Sequence, residues 1–132
     1  MEKIEVKTSQ RSQILDITSQ VQACLSQQTK KSGMLLVFCP HTTAGLTVNE
    51  NADPSVKSDM GGFLGRLVPR DPAFTHAEGN ADSHIKGSLL GCSQTFIVER
   101  GGLQLGTWQG IYFMEFDGPR QREVWLQFVP KD

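Results

Sequence analysis

Three histidines stand out in this chain as side chains that could bind a metal or move a proton. His76 and His84 lie in the segment T-H-A-E-G-N-A-D-S-H-I-K, and His41 follows an apolar run in P-H-T-T-A-G. Three imidazoles that leave one coordination position open are an arrangement used by catalytic zinc. We therefore predict that the three histidines meet at one polar site and bind a divalent metal there.

The pattern defines the metal less well than the ligands. The H-x7-H spacing of the second and third histidines is not a standard signature such as H-E-x-x-H. Glu78 and Asp82 lie in the same segment and could orient the imidazoles through hydrogen bonds. Imidazole binds zinc, copper, nickel and iron alike. We expect zinc or magnesium.

A second acidic segment, N-E-N-A-D-P, contributes two more candidates. Glu50 lies nine residues after His41 across a predicted tight strand pair. Its carboxylate could therefore return to the histidine site as a general base or a metal ligand. Asp53 precedes Pro54 and suits the cap of a helix. Capping and turn chemistry is the alternative explanation for this segment.

Further polar and aromatic residues could bind the rest of a substrate. Trp108 either packs in the core or stacks on a flat heterocycle, with Gln109 hydrogen-bonding beside it. Arg122 and its neighbour Arg120 are either solvated at a turn or available to phosphate, which the forked guanidinium of Arg122 could bind with help from Lys86. The chain has no Walker motif and no G-x-G-x-x-G, so nucleotide binding has no support.

Length and composition limit the range of functions. A chain of 132 residues fits a single domain, 1–132, with a core of its own. Because 13 basic residues stand against 14 acidic ones, there is no cationic field to favour nucleic acid or a membrane surface as a partner. No apolar run has signal-peptide or membrane-span length, which predicts a cytoplasmic protein. Cys24, Cys39 and Cys92 are interpreted as free, buried thiols.

Hydrophobic periodicity predicts the elements that must position these residues. Strands are predicted at 3–8, 34–39, 46–48, 95–99, 103–105, 110–116 and 123–129. Helices are predicted at about 16–30, 54–68 and 81–90. The strand at 34–39 is continuously apolar and is expected to be buried on both faces. The helix at 54–68 is expected to bury a stripe formed by Val56, Met60, Phe63, Leu64 and Leu67. We predict an α+β fold with one mostly antiparallel sheet, its last strands in a meander, covered by helices.

Four segments together resemble a known family. They are H-T-T-A-G-L-T-V-N-E-N-A-D-P-S-V, H-A-E-G-N-A-D-S-H-I-K, G-T-W-Q-G-I and D-G-P-R-Q-R, and they are similar to segments of the YjbQ-like family, often called secondary thiamine-phosphate synthases. The resemblance covers nearly the whole chain. It implies a compact α+β homotrimer with histidines and acids gathered at a cleft near a subunit boundary. It also implies a weak or secondary ability to make thiamine phosphate, with site positions at His41, Glu50, Asp53, His76, Glu78, His84, Trp108, Gln109 and Arg122.

The implied reaction joins a pyrimidine-methyl diphosphate to a thiazole phosphate and releases pyrophosphate. A divalent cation, with Lys86 or Arg122, would stabilise the charge on the departing diphosphate. Since this reaction needs little acid or base catalysis, the histidines and carboxylates fit a metal-dependent hydrolase of a phosphorylated metabolite as well. The third alternative is a trimeric module that binds a metal or metabolite without catalysis.

Overall fold

Two antiparallel sheets and three helices form the fold, which a computed structural model describes for residues 1–132. The strands are β1 (Glu2–Lys7), β2 (Gln13–Asp16), β3 (Gly33–Phe38), β4 (Ala44–Glu50), β5 (Ser93–Glu99), β6 (Gly102–Leu103), β7 (Gln109–Glu115) and β8 (Gln121–Pro130). The helices are α1 (Thr18–Ser26), α2 (Pro54–Leu67) and α3 (Ala81–Leu90). The five-stranded sheet has the order β1-β8-β3-β5-β6, and the three-stranded sheet has the order β2-β7-β4.

The main core lies between the inner faces of the two sheets, with α1 packed at its side. Alternating residues of each strand enter it, such as Leu35 and Val37 on β3 and Val124 and Leu126 on β8. Ile111 and Phe113 of β7 enter the same core, while the alternate residues of β7 face the other way. Those alternate residues pack under the helices, in a cluster formed by Tyr112, Met114 and Phe116 with Ile14, Met60, Leu64 and Leu90. The helices α2 and α3 therefore cover the outer face of the three-stranded sheet.

The α+β class is confirmed, but the single sheet with a terminal meander is wrong. The strand β7 does not pair with β6 or β8; it pairs with β2 and β4 in the second sheet. Its sequence, Q-G-I-Y-F-M-E, is buried on both faces. Both faces of such an apolar strand must be buried. In the three-stranded sheet, one face of β7 packs in the main core and the other packs under the helices. Strand β2 was not predicted, because it has only four residues and its last residue, Asp16, was interpreted as the start of a helix.

Helix α2 begins and ends where the sequence predicts, but its expected buried stripe is confirmed only in part, since Val56, Met60 and Leu64 are half-buried. Asp53 caps the helix by accepting a hydrogen bond from the Ser55 N–H at 2.9 Å, and Pro54 is its first residue. None of its residues is fully buried, and Phe63 and Leu67 are more than half exposed. The helix lies over the sheet without packing tightly against it.

Strand β3 is buried on one face only, contrary to the prediction. Met34 is 53% exposed and Leu36 is 38% exposed. Met34 is paired across the sheet with Ile97 of β5 and with Val129 of β8, which are also exposed. These four residues form an apolar surface, here named the outer sheet patch.

Two smaller predictions need correction. Helix α1 ends at Ser26, about one turn before the predicted end. Of the three free cysteines only Cys39 is buried; Cys24 is half-buried and Cys92 is exposed.

No helix is long and apolar enough to span a membrane.

Candidate functional site

All three histidines line one polar cleft, here named the histidine cleft, at the end of the three-stranded sheet where β4 begins. Its volume is about 370 Å³, and it is lined by Pro40, His41, Thr42, Thr43, His76, Glu78, Asn80, His84, Arg120 and Arg122. Five residues of the predicted site are among them: His41, His76, Glu78, His84 and Arg122. Pro40 is the only hydrocarbon side chain in the lining and the other nine are polar or charged, so the cleft suits a charged or strongly polar ligand.

Close backbone packing brings α3 against the loop that carries His41. A Cβ on Gly87 of α3 would lie 3.0 Å from the Ala44 carbonyl oxygen and 3.2 Å from that of Thr42. A Cβ on Gly45 would lie 2.9 Å from the Gly91 carbonyl oxygen. The two glycines allow the helix and β4 to approach each other more closely than side chains permit. This contact is what places the His84 side of α3 beside the end of β3.

Just after the end of β3, the His41 side chain accepts a backbone N–H of β8 that a strand carbonyl would otherwise accept. Pro40 ends the pairing of β3 with β8, and the Glu123 N–H donates to Nε2 of His41 at 2.9 Å. The Glu123 carbonyl oxygen also lies 3.1 Å from Nε2, but because the backbone N–H can only donate, we assign the proton of the neutral imidazole to Nδ1. Burial and the nearby Arg122 guanidinium lower the pKa of His41. His41 is therefore a neutral hydrogen-bond donor at neutral pH.

His76 and His84 form an imidazole pair on the opposite wall. Their ring centroids are 5.1 Å apart and the rings are nearly perpendicular. The Glu78 carboxylate lies 3.9 Å from Nε2 of His76. The turn between the two histidines depends on Gly79, whose φ of +71° favours glycine and whose N–H donates to the His76 carbonyl at 3.1 Å. Glu78 and His76 are both well exposed to solvent.

Asn80 and Arg120 are cleft residues that sequence reasoning did not assign to the site. Nδ2 of Asn80 donates to Asp117 at 2.7 Å, and Nη2 of Arg120 donates to the same carboxylate oxygen at 2.9 Å. Burial opposes ionisation of Asp117, but these hydrogen bonds outweigh it and lower its pKa. Because Asp117 fixes the amide orientation, Oδ1 of Asn80 is left buried without a partner. A donor or a cation in the cleft could satisfy that oxygen.

Arg122 is buried behind the cleft instead of lying at a solvated turn. Its Nε donates to Glu115 at 2.8 Å, and Nη2 donates to the other oxygen of the same carboxylate and to the Thr43 hydroxyl at 2.8 Å. Burial opposes ionisation of Glu115, but the Arg122 hydrogen bonds, with those from Asp117 N–H and Thr8, lower its pKa. Nη1 of Arg122 has no partner in the protein and is the guanidinium nitrogen left for a ligand. The alternation along β8 signals this burial, since Arg122 shares a face with Val124.

Lys86 does not belong to the histidine cleft, which corrects the prediction that it assists Arg122. His84 and Lys86 are two residues apart on α3, and a rotation of about 100° per residue puts them on opposite faces. The Lys86 ammonium is buried, lies 3.2 Å from Oδ2 of Asp82 and lines a different cavity. Arg11 binds the same carboxylate through two hydrogen bonds of 3.0 Å. Asp82 therefore holds two cations and does not orient a histidine.

A metal site formed by all three histidines is not present in the structure. No group of three or more His, Cys, Asp or Glu side chains is arranged to hold a metal ion. Two imidazoles bound to one tetrahedral ion through bonds of about 2.1 Å would have centroids about 5 Å apart, which His76 and His84 match. His41 does not fit, because Nε2 accepts the Glu123 N–H and Nδ1 carries the proton. The spacing of the His76 and His84 rings is thus compatible with two ligands of one cation, and Asn80 lines the same cleft.

The remaining predicted residues lie at the opposite end of β4, away from the cleft. Glu50 is the last residue of β4, about 20 Å along the strand from its start at Ala44. Its partner across the sheet is Gln109, whose Oε1 accepts a hydrogen bond from the Gly106 N–H at 2.8 Å. Asp53 caps α2, and Trp108 is 61% exposed. Within one chain these four residues do not join the histidines.

The fold and the cleft define a small α+β protein with a polar, histidine-lined site, and comparison with known proteins gives the family. The chain matches the UPF0047 protein YjbQ-like family over residues 2–131. It is 52% identical over 127 residues to a UPF0047 protein from Methanocaldococcus jannaschii, covering 96% of this chain and 92% of that protein. It is 48% identical over 130 residues to the UPF0047 protein YugU from Bacillus subtilis, covering 98% of each. The chain therefore belongs to the YjbQ-like UPF0047 family, as its motifs predict.

Solved structures agree with this assignment. A YjbQ/UPF0047-family protein from Clostridium acetobutylicum superposes with a TM-score of 0.94 at 49% identity, covering 98% of this chain and 100% of that one. A protein from Aeropyrum pernix superposes with a TM-score of 0.93 at 39% identity, covering 98% of each chain. The two-sheet fold is thus similar in the bacterial and archaeal proteins.

Proposed function

We propose that the histidine cleft binds the phosphate groups of a small metabolite and that the protein is a secondary thiamine-phosphate synthase. The observation that carries this proposal is the lining of the cleft, in which three histidines and two arginines meet and Pro40 is the only hydrocarbon side chain. A diphosphate is the part of the two substrates that needs such a lining. Nδ1–H of His41 and Nη1 of Arg122 would donate hydrogen bonds to the diphosphate from one wall of the cleft. His76 and His84 form the other wall.

In this reaction the role of these residues is to stabilise the leaving group, and no proton transfer is required of them. The bond between the pyrimidine methylene carbon and the diphosphate oxygen breaks, and its electron pair leaves with the diphosphate. The thiazole nitrogen supplies the pair for the new carbon–nitrogen bond. Since charge accumulates on the diphosphate, donors that are already positioned by the protein lower the barrier without reorganising. The rigid attachment of His41 to β8 and of Arg122 to Glu115 provides this positioning.

We further propose a divalent cation at the His76–His84 pair, with zinc or magnesium as candidates. Its chemistry there would be to neutralise charge on the diphosphate. The spacing of the two imidazoles supports this ligand pair, and the unpaired Oδ1 of Asn80 could add an oxygen ligand. Diphosphate oxygens would complete the coordination.

We propose that the protein is a homotrimer and that a neighbouring subunit supplies the surface that holds the rings of the substrates. The cleft has little apolar lining of its own, while Trp108 presents an exposed indole at the other end of β4. The outer sheet patch supports association, because exposed apolar rows on a sheet are a common feature of subunit interfaces. Light scattering should give a trimer for the wild type and smaller species for Ile97→Lys. Ile85→Lys, on the exposed face of α3, is the matched control and should remain trimeric.

A metal-dependent hydrolase of a phosphorylated metabolite is the second candidate function. The observation that favours it is the Glu78 carboxylate 3.9 Å from Nε2 of His76, since a carboxylate can orient an imidazole. For either function we expect the protein to act in the cytoplasm on a small phosphorylated metabolite.

The test is formation of thiamine phosphate from the two precursors by pure protein with zinc or magnesium, followed by chromatography and mass spectrometry. Product is expected with the wild type and with the control Ile85→Ala, whose side chain lies on the same helix outside the cleft. His84→Ala should lower kcat/KM about a hundredfold or more. Absence of product from metal-loaded wild type would overturn the synthase assignment. Phosphate release from a panel of phosphorylated metabolites would then favour the hydrolase. A higher Tm with metal but no turnover would favour a binding module.

A further inference from the structure

A second cavity, separate from the histidine cleft, lies between α2 and the three-stranded sheet. This α2 cavity has a volume of about 390 Å³. Glu115 lines it, whereas its partner Arg122 lines the histidine cleft, so this buried ion pair forms part of the wall between the two. A ligand in the α2 cavity would therefore not occupy the proposed diphosphate site.

One part of the α2 cavity is apolar. Ile14, Leu64, Met114 and Phe116 contribute to its lining, from β2, α2 and the end of β7. Gly65 also lines it, and no atom lies within 4 Å of the position that its Cβ would take. Glycine is less favourable than alanine inside a helix, and packing does not require it here. The small residue leaves open a space that a larger side chain would fill.

The other part of the α2 cavity is cationic. The buried Lys86 ammonium has three N–H groups and lies 5.8 Å from the centroid of the Phe116 ring, and its only hydrogen-bond partner in the protein is Asp82. Asp82 is shared with Arg11, so this cluster of two cations and one carboxylate has an excess of positive charge. Lys57 adds a second lysine to the lining. The carboxylate in the lining, Glu115, is neutralised by Arg122.

We propose that the α2 cavity binds a small organic anion with an apolar body. Its carboxylate, sulfonate or phosphate group would accept hydrogen bonds from Lys86, with Lys57 at the entrance. Its apolar body would lie against Leu64, Met114 and Phe116. Charge complementarity and the apolar lining both select this class over a neutral polar metabolite or a cation.

The test is a titration of the full-length protein with 1-anilinonaphthalene-8-sulfonate, an anionic probe whose fluorescence rises in an apolar site. Saturable binding of one probe per chain is expected for the wild type. Gly65→Leu should raise the probe Kd about tenfold, since the leucine side chain would occupy the cavity. Gly62→Leu is the matched control, because Gly62 is in the same helix but outside the cavity lining, and its Kd should stay at the wild-type value.

A second pair of variants tests the charge and does not depend on repacking. Lys57→Glu should raise the Kd severalfold, while Lys131→Glu, at the exposed C-terminal end, should leave it unchanged. Circular dichroism checks that each variant is folded. Equal affinities for Gly65→Leu and Gly62→Leu, or for the two lysine variants, would overturn the proposal and place the probe elsewhere, such as on the outer sheet patch. Thiamine-phosphate formation is expected to be unchanged in Gly65→Leu, so failure here is distinct from failure of the proposed activity.

Discussion

At the start of β4, His41 and Thr43 are held by β8, a strand about eighty residues further along the chain. At the end of β4, Asp53 and Gln109 make side-chain hydrogen bonds to groups two or three residues away. Both ends carry polar residues of the kinds that active sites use. The first end gathers five of the predicted site residues around the histidine cleft, whereas Glu50, Asp53, Trp108 and Gln109 at the second end do not line that cleft.

The difference between the two ends is also a difference in burial. Glu115 and Arg122 are almost completely buried beside the histidine cleft, whereas Asp53 and Trp108 are exposed. Buried charges must be paired and fixed, so they give the cleft a rigid wall. Exposed residues held by local bonds cap helices and close turns. The comparison predicts large effects from substitutions at the first end and small ones at the second.

The largest effect is expected from Arg122→Met. The substitution leaves the Glu115 carboxylate buried without its cation, which should lower the free energy of unfolding by about 3–5 kcal/mol. Urea unfolding at neutral pH measures this change. The control is Arg120→Met, which breaks the half-exposed pair with Asp117 and should cost about 1 kcal/mol or less. Similar losses of unfolding free energy in the two variants would show that the buried Arg122–Glu115 pair is no more important for stability than the half-exposed Arg120–Asp117 pair.

The next effect concerns the pH dependence of stability through Asp82. Burial opposes its ionisation, but the hydrogen bonds from Arg11 and Lys86 outweigh burial and lower its pKa to about 2 from an ordinary 3.8. A depressed pKa in the folded state stabilises the protein above the unfolded pKa, and this contribution is lost as the pH falls through the folded one. It amounts to about 2 kcal/mol.

Urea unfolding of the wild type and Asp82→Asn between about pH 6 and pH 2 measures this contribution, because other carboxylates titrate in both proteins. The difference in free energy of unfolding between them should narrow as the pH falls below about 4. A difference that stays constant over this range would show that Asp82 has an ordinary pKa.

A third effect tests the close packing that forms the cleft. Gly87→Val would push side-chain atoms against the Ala44 and Thr42 carbonyl oxygens, and we expect a loss of about 1–3 kcal/mol in unfolding free energy. Gly65→Val is the matched control in α2, where no atom lies within 4 Å of the new Cβ, and it should be neutral or slightly stabilising. A neutral Gly87→Val would mean that α3 does not need its close approach to β4.

The same contrast between local and distant bonds explains how much could be predicted from the sequence. The start of α2 at Asp53-Pro54 and the end of α3 at Gly91 depend on neighbouring residues, and both predictions were correct. The convergence of the histidines was predicted from their residue type and polar surroundings, but the bond that fixes His41 joins it to Glu123 of β8, which no short segment reveals.

Features that depend on distant partners were predicted less well. The apolar run of β7 does not reveal that its neighbours are β2 and β4, so two sheets were interpreted as one. Glu50 was expected to return to His41, but β4 is long enough to carry it to the far end of the sheet. The error at Lys86 could have been avoided from the sequence, because a residue two positions after His84 in a helix lies on the opposite face of that helix.

The smallest effect is expected at the far end, from Asp53. Its carboxylate accepts the Ser55 N–H and caps α2, and these hydrogen bonds lower its pKa. Asp53→Ala should decrease the Tm by a few degrees and leave kcat/KM for the formation of thiamine phosphate unchanged. Asp53→Ser should restore the Tm, because serine caps helices nearly as well as aspartate does. A fall in kcat/KM that serine does not rescue would show that the carboxylate itself takes part in the reaction. In a trimer, that result would mean that the far end of β4 reaches the histidine cleft of a neighbouring subunit, and the contrast between the two ends would then hold only within one chain.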